Sequence, residues 1–138
     1  MTRWAQSLIK LSNFEVETLQ KRLAEISDQR AQVEMRLAAL YAEGQAEQAA
    51  AAQDPSLGWR IVSYMEALKV RIDGVRHELH LIEVEEQGAR DALAQAFETQ
   101  KKYEHVAEQA QVLAVKKAGR LETAQMDELG LRKAAGAR

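Results

Sequence analysis

Cysteine is absent from this chain, which excludes disulfides, thiolate nucleophiles and cysteine-ligated zinc. Proline occurs once, and aromatic residues make up only 5% of the sequence. So few large rigid side chains do not build the core of an ordinary globular domain. No run approaches the roughly 20 apolar residues of a membrane-spanning helix, so direct membrane insertion is not expected. The first 17 residues, "MTRWAQSLIKLSNFEVE", lack both a continuous apolar stretch and a small-residue cleavage site. They do not read as a secretory signal, and a cytoplasmic location is expected.

Clustered charge of one sign is also missing. Lysine and arginine number 19 against 21 aspartates and glutamates, a net charge of -2, and the two signs are interspersed. Backbone-directed binding of nucleic acid needs basic clusters, so nucleic acid is not an expected partner. The glycines stand singly, with no phosphate-cradling loop and no nucleophile elbow. His77 and His80 in "HELH" lie three apart, where the zinc-protease pattern needs a spacing of four and a third ligand. They flank a seam as ordinary exposed residues. No metal, no cofactor and no enzyme activity are expected.

What the sequence does have is helix-forming composition in heptads. From Ile9 the a positions are Ile9, Val16, Leu23, Arg30, Leu37 and Gly44, and the d positions Ser12, Leu19, Ile26, Val33, Leu40 and Glu47. Most are aliphatic, the narrow seam of a coiled coil. Asp54 and Pro55 mark a break, an N-cap followed by proline at the first helical position. A second seam runs Ile61, Tyr64, Leu68, Ile72, Val75, Leu79, Ile82, Glu86, Ala89, Leu93 and Ala96. Its four-step from Leu68 to Ile72 is a stutter that locally unwinds a supercoil. In the same register Gln100, Tyr103, Ala107, Ala110, Ala114, Lys117, Leu121 and Ala124 follow, and large aliphatics fade after Leu93.

The pattern predicts an all-α fold: a long antiparallel two-helix coiled-coil hairpin with the second helix overhanging. As one domain over residues 1–138, it would have helix one at about 4–48, a turn at about 49–54, helix two at about 55–130 and a frayed C-terminus. Folding at the alanine run would set Leu40 against Ile61, Val33 against Leu68, Ile26 against Val75 and Ile9 against Leu93. Helix one would then be roughly 68 Å long and helix two roughly 118 Å, leaving "EHVAEQAQVLAVKKAGR", residues 104–120, beyond its partner. Two residues interrupt the seams. Arg30 would fix the register or extend its stem to Asp73 or Glu34, and Glu86 would face Val16 or reach Arg90.

A thin rod cannot bury all of Trp4, Phe14, Trp59, Tyr64, Phe97 and Tyr103, so these aromatics are candidate anchors for protein partners. Lys116, Lys117, Arg120, Glu122, Asp127 and Glu128 add both signs of charge to the overhang, on a helix kept slender by alanine. Two readings from different classes fit: a monomeric hairpin whose overhang meets a partner, or a structural spacer or adaptor that dimerises and has no such partner.

The stretches "LIKLSNFEVETLQKRLAEISDQR" and "QKKYEHVAEQAQVLAVKKAGRLETAQMDEL", with the single proline-marked turn between them, resemble the FliJ family of flagellar type III export proteins. Injectisome stalk proteins are its relatives, and the segment "ETAQMDE" is similar to the acidic end of that family's second helix. The resemblance implies a small cytoplasmic coiled coil like the central stalk of rotary ATPases, placed peripherally at the cytoplasmic face of the inner membrane and monomeric in isolation. Its implied partners are the export ATPase hexamer, the membrane protein of the export gate, and export chaperones. The ATPase-facing end would carry Trp4, Phe14, Tyr103, Lys116, Lys117, Arg120, Glu122, Asp127 and Glu128. The gate-facing surface would carry Trp59, Tyr64 and Leu68, although Arg71 stands where that surface should have a small residue.

Overall fold

The computed structural model describes residues 3–136. Among these the chain forms α1, Arg3–Gln53, one 3-10 turn at Pro55–Leu57, and α2, Gly58–Gly136, with no strand. It is an all-α helical hairpin. α1 has 51 residues and α2 has 79, far beyond the usual three or four turns, which a continuous heptad seam sustains.

Four residues make the reversal. Asp54 is extended at φ -130 and ψ 98, and its Oδ1 accepts from the Ser56 amide at 3.1 Å and the Ser56 hydroxyl at 2.6 Å. These bonds, side chain first, hold the Asp54 carboxyl below its ordinary pKa. The Asp54 amide closes α1 on the Ala50 carbonyl at 3.2 Å, and the Leu57 amide reaches the Asp54 carbonyl at 3.1 Å. Pro55, with no N–H to satisfy, opens the 3-10 turn.

The chain packs as two compact units. One is Glu17–Ala94; the other joins the stretch ending at Val16 to the stretch beginning at Gln95. In the first, Ile26, Val33, Leu40 and Leu68 are buried, with Leu23, Leu37, Val75 and Leu79 half-buried beside them. In the second, the buried residues are Ala5, Ser12, Val16, Ala96 and Ala107. The Ser12 hydroxyl is satisfied within its own helix, donating to the Ile9 carbonyl at 2.9 Å.

The heptad reading places the seams correctly. Of the α1 seam positions only Glu47 is exposed, and every α2 position from Ile61 to Ala110 is buried or half-buried, across the stutter. The pairing of the seams differs from expectation. Leu68 lies against Gly44 instead of Val33, so that a Cβ at Gly44 would come within 2.6 Å of Leu68 Cδ2. Gln100 donates to Asn13 at 2.6 Å, and Ile9 shares a groove with Glu104, Ala107 and Gln111 in place of Leu93.

This register lies about three helical turns from the expected one, and its cause is the alanine run. Residues 49–53 are helical, as alanine's propensity favours, so α1 extends past residue 48 and the turn moves to Asp54–Leu57. Helix two starts at Gly58 instead of about 55, and it continues through Gly130 to Gly136. In consequence Ala107 and Ala110, expected beyond the partner helix, are buried and half-buried. Full exposure begins at Gln111 and holds for every residue to Gly136.

Candidate functional site

Three features could carry function: a polar group within the seam of Glu17–Ala94, the turn end of the same unit, and the exposed end of α2.

The first joins the two residues that interrupt the heptads. Arg30 Nη1 donates to Glu86 Oε1 at 2.8 Å, its Nε to Glu34 at 3.0 Å and its Nη2 to Glu83 at 3.4 Å. Glu86 also receives Arg90 at 3.2 Å. The Glu86 side chain is 4% exposed while that of Arg30 is 35% exposed. A carboxylate removed from water in this way requires the two guanidiniums that hold it. Arg30 in turn has its pKa raised, first by the hydrogen bond to Glu34 and next by that to Glu86. Arg90 answers the expected reach from Glu86, and Glu34 that from Arg30; Val16 and Asp73 are not the partners.

Opposite charges at interrupted seam positions of two helices were the sequence signal for this pair. It was hidden by a register that set Glu86 near Val16. Exposed bridges from α1 to α2 line the same unit. Arg22 pairs with Glu85, Arg36 Nη2 with Glu78 at 2.6 Å, and Arg71 with Glu43 at 3.5 Å. Tyr41, which the sequence gave no reason to single out, accepts a hydrogen bond from Arg76, whose guanidinium lies 5.5 Å from the Tyr41 ring centre.

At the turn end the expected gate-facing residues have different fates. Trp59 is 76% exposed, with the Arg60 guanidinium 5.9 Å from its ring centre. Tyr64 is half-buried and lines a groove with Glu47, Ala51, Leu57, Arg60 and Ile61. Its hydroxyl is buried and makes no well-formed hydrogen bond. The neighbouring Glu43 carboxylate, then burial, push its pKa up to about 12. Leu68 is buried in the seam at 2% exposure, so a partner cannot touch it while the hairpin is closed. Trp59, Tyr64 and Leu68 therefore do not form one accessible surface.

The expected ATPase-facing residues all lie in the other unit. Trp4 and Phe14 are 51% and 68% exposed, and Tyr103 is half-buried at its seam position. Lys116, Lys117, Arg120, Glu122, Asp127 and Glu128 are exposed. Glu128 pairs within the helix with Arg132 at 2.9 Å. Large apolar side chains are exposed on the same segment, among them Leu113, Val115, Leu121, Met126 and Leu131. His77 and His80 are exposed, and among the described residues no group of three His, Cys, Asp or Glu side chains is placed to hold a metal ion. No helix among the described residues is long and apolar enough to cross a membrane.

A family model described as flagellar FliJ protein matches residues 5–138. The chain belongs to the FliJ family. Flagellar FliJ proteins of Caulobacter vibrioides, from strains NA1000 / CB15N and ATCC 19089 / CIP 103742 / CB 15, are each 56% identical to it over 135 residues. Each match covers 98% of this chain and 97% of the relative. No solved structure gives a significant match. The matched residues take in both helices and the turn.

Proposed function

We propose that this chain is a central-stalk-like component of flagellar type III protein export, acting by binding and without catalysis. In this reading it binds the hexameric export ATPase and couples it to the export gate and export chaperones at the cytoplasmic face of the inner membrane. The observation that carries the proposal is the run Gln111–Gly136, helical and exposed at every position, in a member of a flagellar protein family. A slender helix offering Lys116, Lys117, Arg120, Glu122, Asp127 and Glu128 suits contacts that several ring subunits make and remake. Charge supplies rapid, orientation-selective encounter, and small residues keep the diameter low. Trp4, Phe14 and Tyr103 supply apolar contact area in the same unit. For the gate, Trp59 and the accessible edge of Tyr64 are the contact residues, and Leu68 supports them from within the seam.

The test is a pull-down with the export ATPase from the same organism, followed by measurement of its hydrolysis rate. Replacement of Lys116, Lys117 and Arg120 together by alanine is expected to abolish capture and any stimulation without loss of helicity. Undiminished binding by that variant would rule out the assigned surface.

A further inference from the structure

The α2 seam does not end where α1 stops covering it. Continued from Ala110, the same three-and-four spacing gives Ala114, Lys117, Leu121, Ala124, Glu128, Leu131 and Ala135, all exposed. We propose that this face docks a second copy of the chain, overhang to overhang and antiparallel, with the symmetry axis between Leu121 and Ala124.

The argument is continuity with the seam already packed in this unit, together with self-complementarity. About that axis Leu121 of one copy faces Ala124 of the other, and Ala114 faces Leu131, so a large residue meets a small one in each of these layers. These are the a-to-d layers of an antiparallel pair. Lys117 faces Glu128. The residues flanking the seam agree, because Arg120 of one copy lies beside Asp127 of the other. Two-fold symmetry repeats every pair, as an isologous interface requires. A parallel, in-register arrangement would set Lys117 against Lys117 and Glu128 against Glu128, which charge repulsion disfavours. In the single chain Glu128 pairs with Arg132 at 2.9 Å, so docking exchanges an exposed local ion pair for one between copies.

Alanine on one side of two of every three layers makes the interface thin. An interface of this kind leaves the chain monomeric when dilute and makes it dimeric as concentration rises. Dimerisation covers Lys117 and Arg120, so it competes with any other partner of that face. It is measured on the isolated protein and stands whether or not the ATPase reading holds.

Sedimentation equilibrium of the full chain is expected to show the mass rising with concentration from 15.5 kDa toward twice that value. Lys117→Glu alone and Glu128→Lys alone each place like charges together and should weaken association roughly tenfold or more. The double variant restores the pairing and the association. Helicity by circular dichroism stays unchanged throughout, since both residues are exposed. Because the chain has no cysteine, Ala118→Cys and Gln125→Cys variants report orientation directly: mixed together, they cross-link to each other faster than either does to itself. A mass constant across the whole concentration range overturns the proposal, as does a single charge reversal with no effect. A double reversal that fails to rescue, or faster self-linking of Ala118→Cys, also overturns it.

Discussion

The unit Glu17–Ala94 and the unit built from the two chain ends use the same pair of helices and bury different things. The first encloses Ile26, Val33, Leu40 and Leu68 around one charged group; the second encloses Ala5, Ser12, Val16, Ala96 and Ala107. Full burial of a large aliphatic side chain contributes about 1.5–3 kcal/mol, and alanine offers far less surface to remove from water. Stability is therefore concentrated in the unit nearest the turn. The unit at the chain ends instead holds most of the exposed aromatic and charged candidates, together with the uncovered run Gln111–Gly136.

The largest expected effect breaks this contrast at its strongest point. Ile26→Ala, at a side chain that is 1% exposed, should cost about 2–5 kcal/mol in denaturant unfolding, whereas Ala107→Gly in the thinner unit should cost only about 1 kcal/mol. Equal losses would show that the two units share one stability. Next comes Gly44→Ala. Its new methyl would meet Leu68 Cδ2 at 2.6 Å, an overpacking cost of about 1–3 kcal/mol that outweighs the gain of up to about 1 kcal/mol from helix propensity. A stabilised variant would mean that Leu68 moves aside freely.

The charged group sharpens the comparison further. Arg30→Leu alone leaves the buried Glu86 with Arg90 as its remaining strong partner and should lower the melting temperature. Arg30→Leu combined with Glu86→Leu should restore it or raise it, while relaxing the register. Engineered cross-links placed for the native pairing would then form less completely. Retention of a single register by the double variant would assign the register to Gly44 and Leu68 alone.

Smaller still is the alkaline dependence of Tyr64. Its pKa is raised to about 12 from an ordinary value near 10, so the folded chain holds the phenolic proton more tightly than the unfolded one. The resulting stability is fully present below about pH 10 and is lost as the pH rises toward 12. Tyr64→Phe should flatten the unfolding profile across that window and change little at pH 7, where the hydroxyl makes no well-formed hydrogen bond. At the bottom of the scale, alanine at Lys116, Lys117 and Arg120 should change stability by no more than about 0.5 kcal/mol at each exposed site. A large change would mean that the exposed run is packed against something.

Which residues form the seams was legible in the sequence, because period is a local property of each helix. The stutter at Leu68 and Ile72 and the half-burial of Ala89 and Ala110 follow the spacing alone. How the seams meet was not legible, because heptads repeat and many offsets satisfy them. The choice rests on features with no period: the alanine run that stays helical, the close fit of Gly44 and Leu68, and the meeting of Arg30 with Glu86. Trp59, Tyr64 and Leu68 were grouped as one surface by the family resemblance, yet seam geometry turns Leu68 inward. The exposure of Lys116, Lys117 and Arg120 was legible without such geometry, since charged side chains stay in water and the large aliphatics of the seam fade after Leu93.

The turn at Asp54–Leu57 also sets the order in which the chain can assemble. Residues next to it, such as Ala51 and Ile61, come to line one groove by closing a short loop, whereas Asn13 and Gln100 must close one of 87 positions. Closure entropy grows with loop length, and local contacts form first. Pairing should advance from the turn like a zipper, reaching Ala5 and Ala107 last. Amide exchange should accordingly slow toward the middle of Glu17–Ala94 and quicken toward the chain ends. The part of the molecule that offers most of the candidate contacts is then also the last to lock, ready to be ordered by whatever it meets.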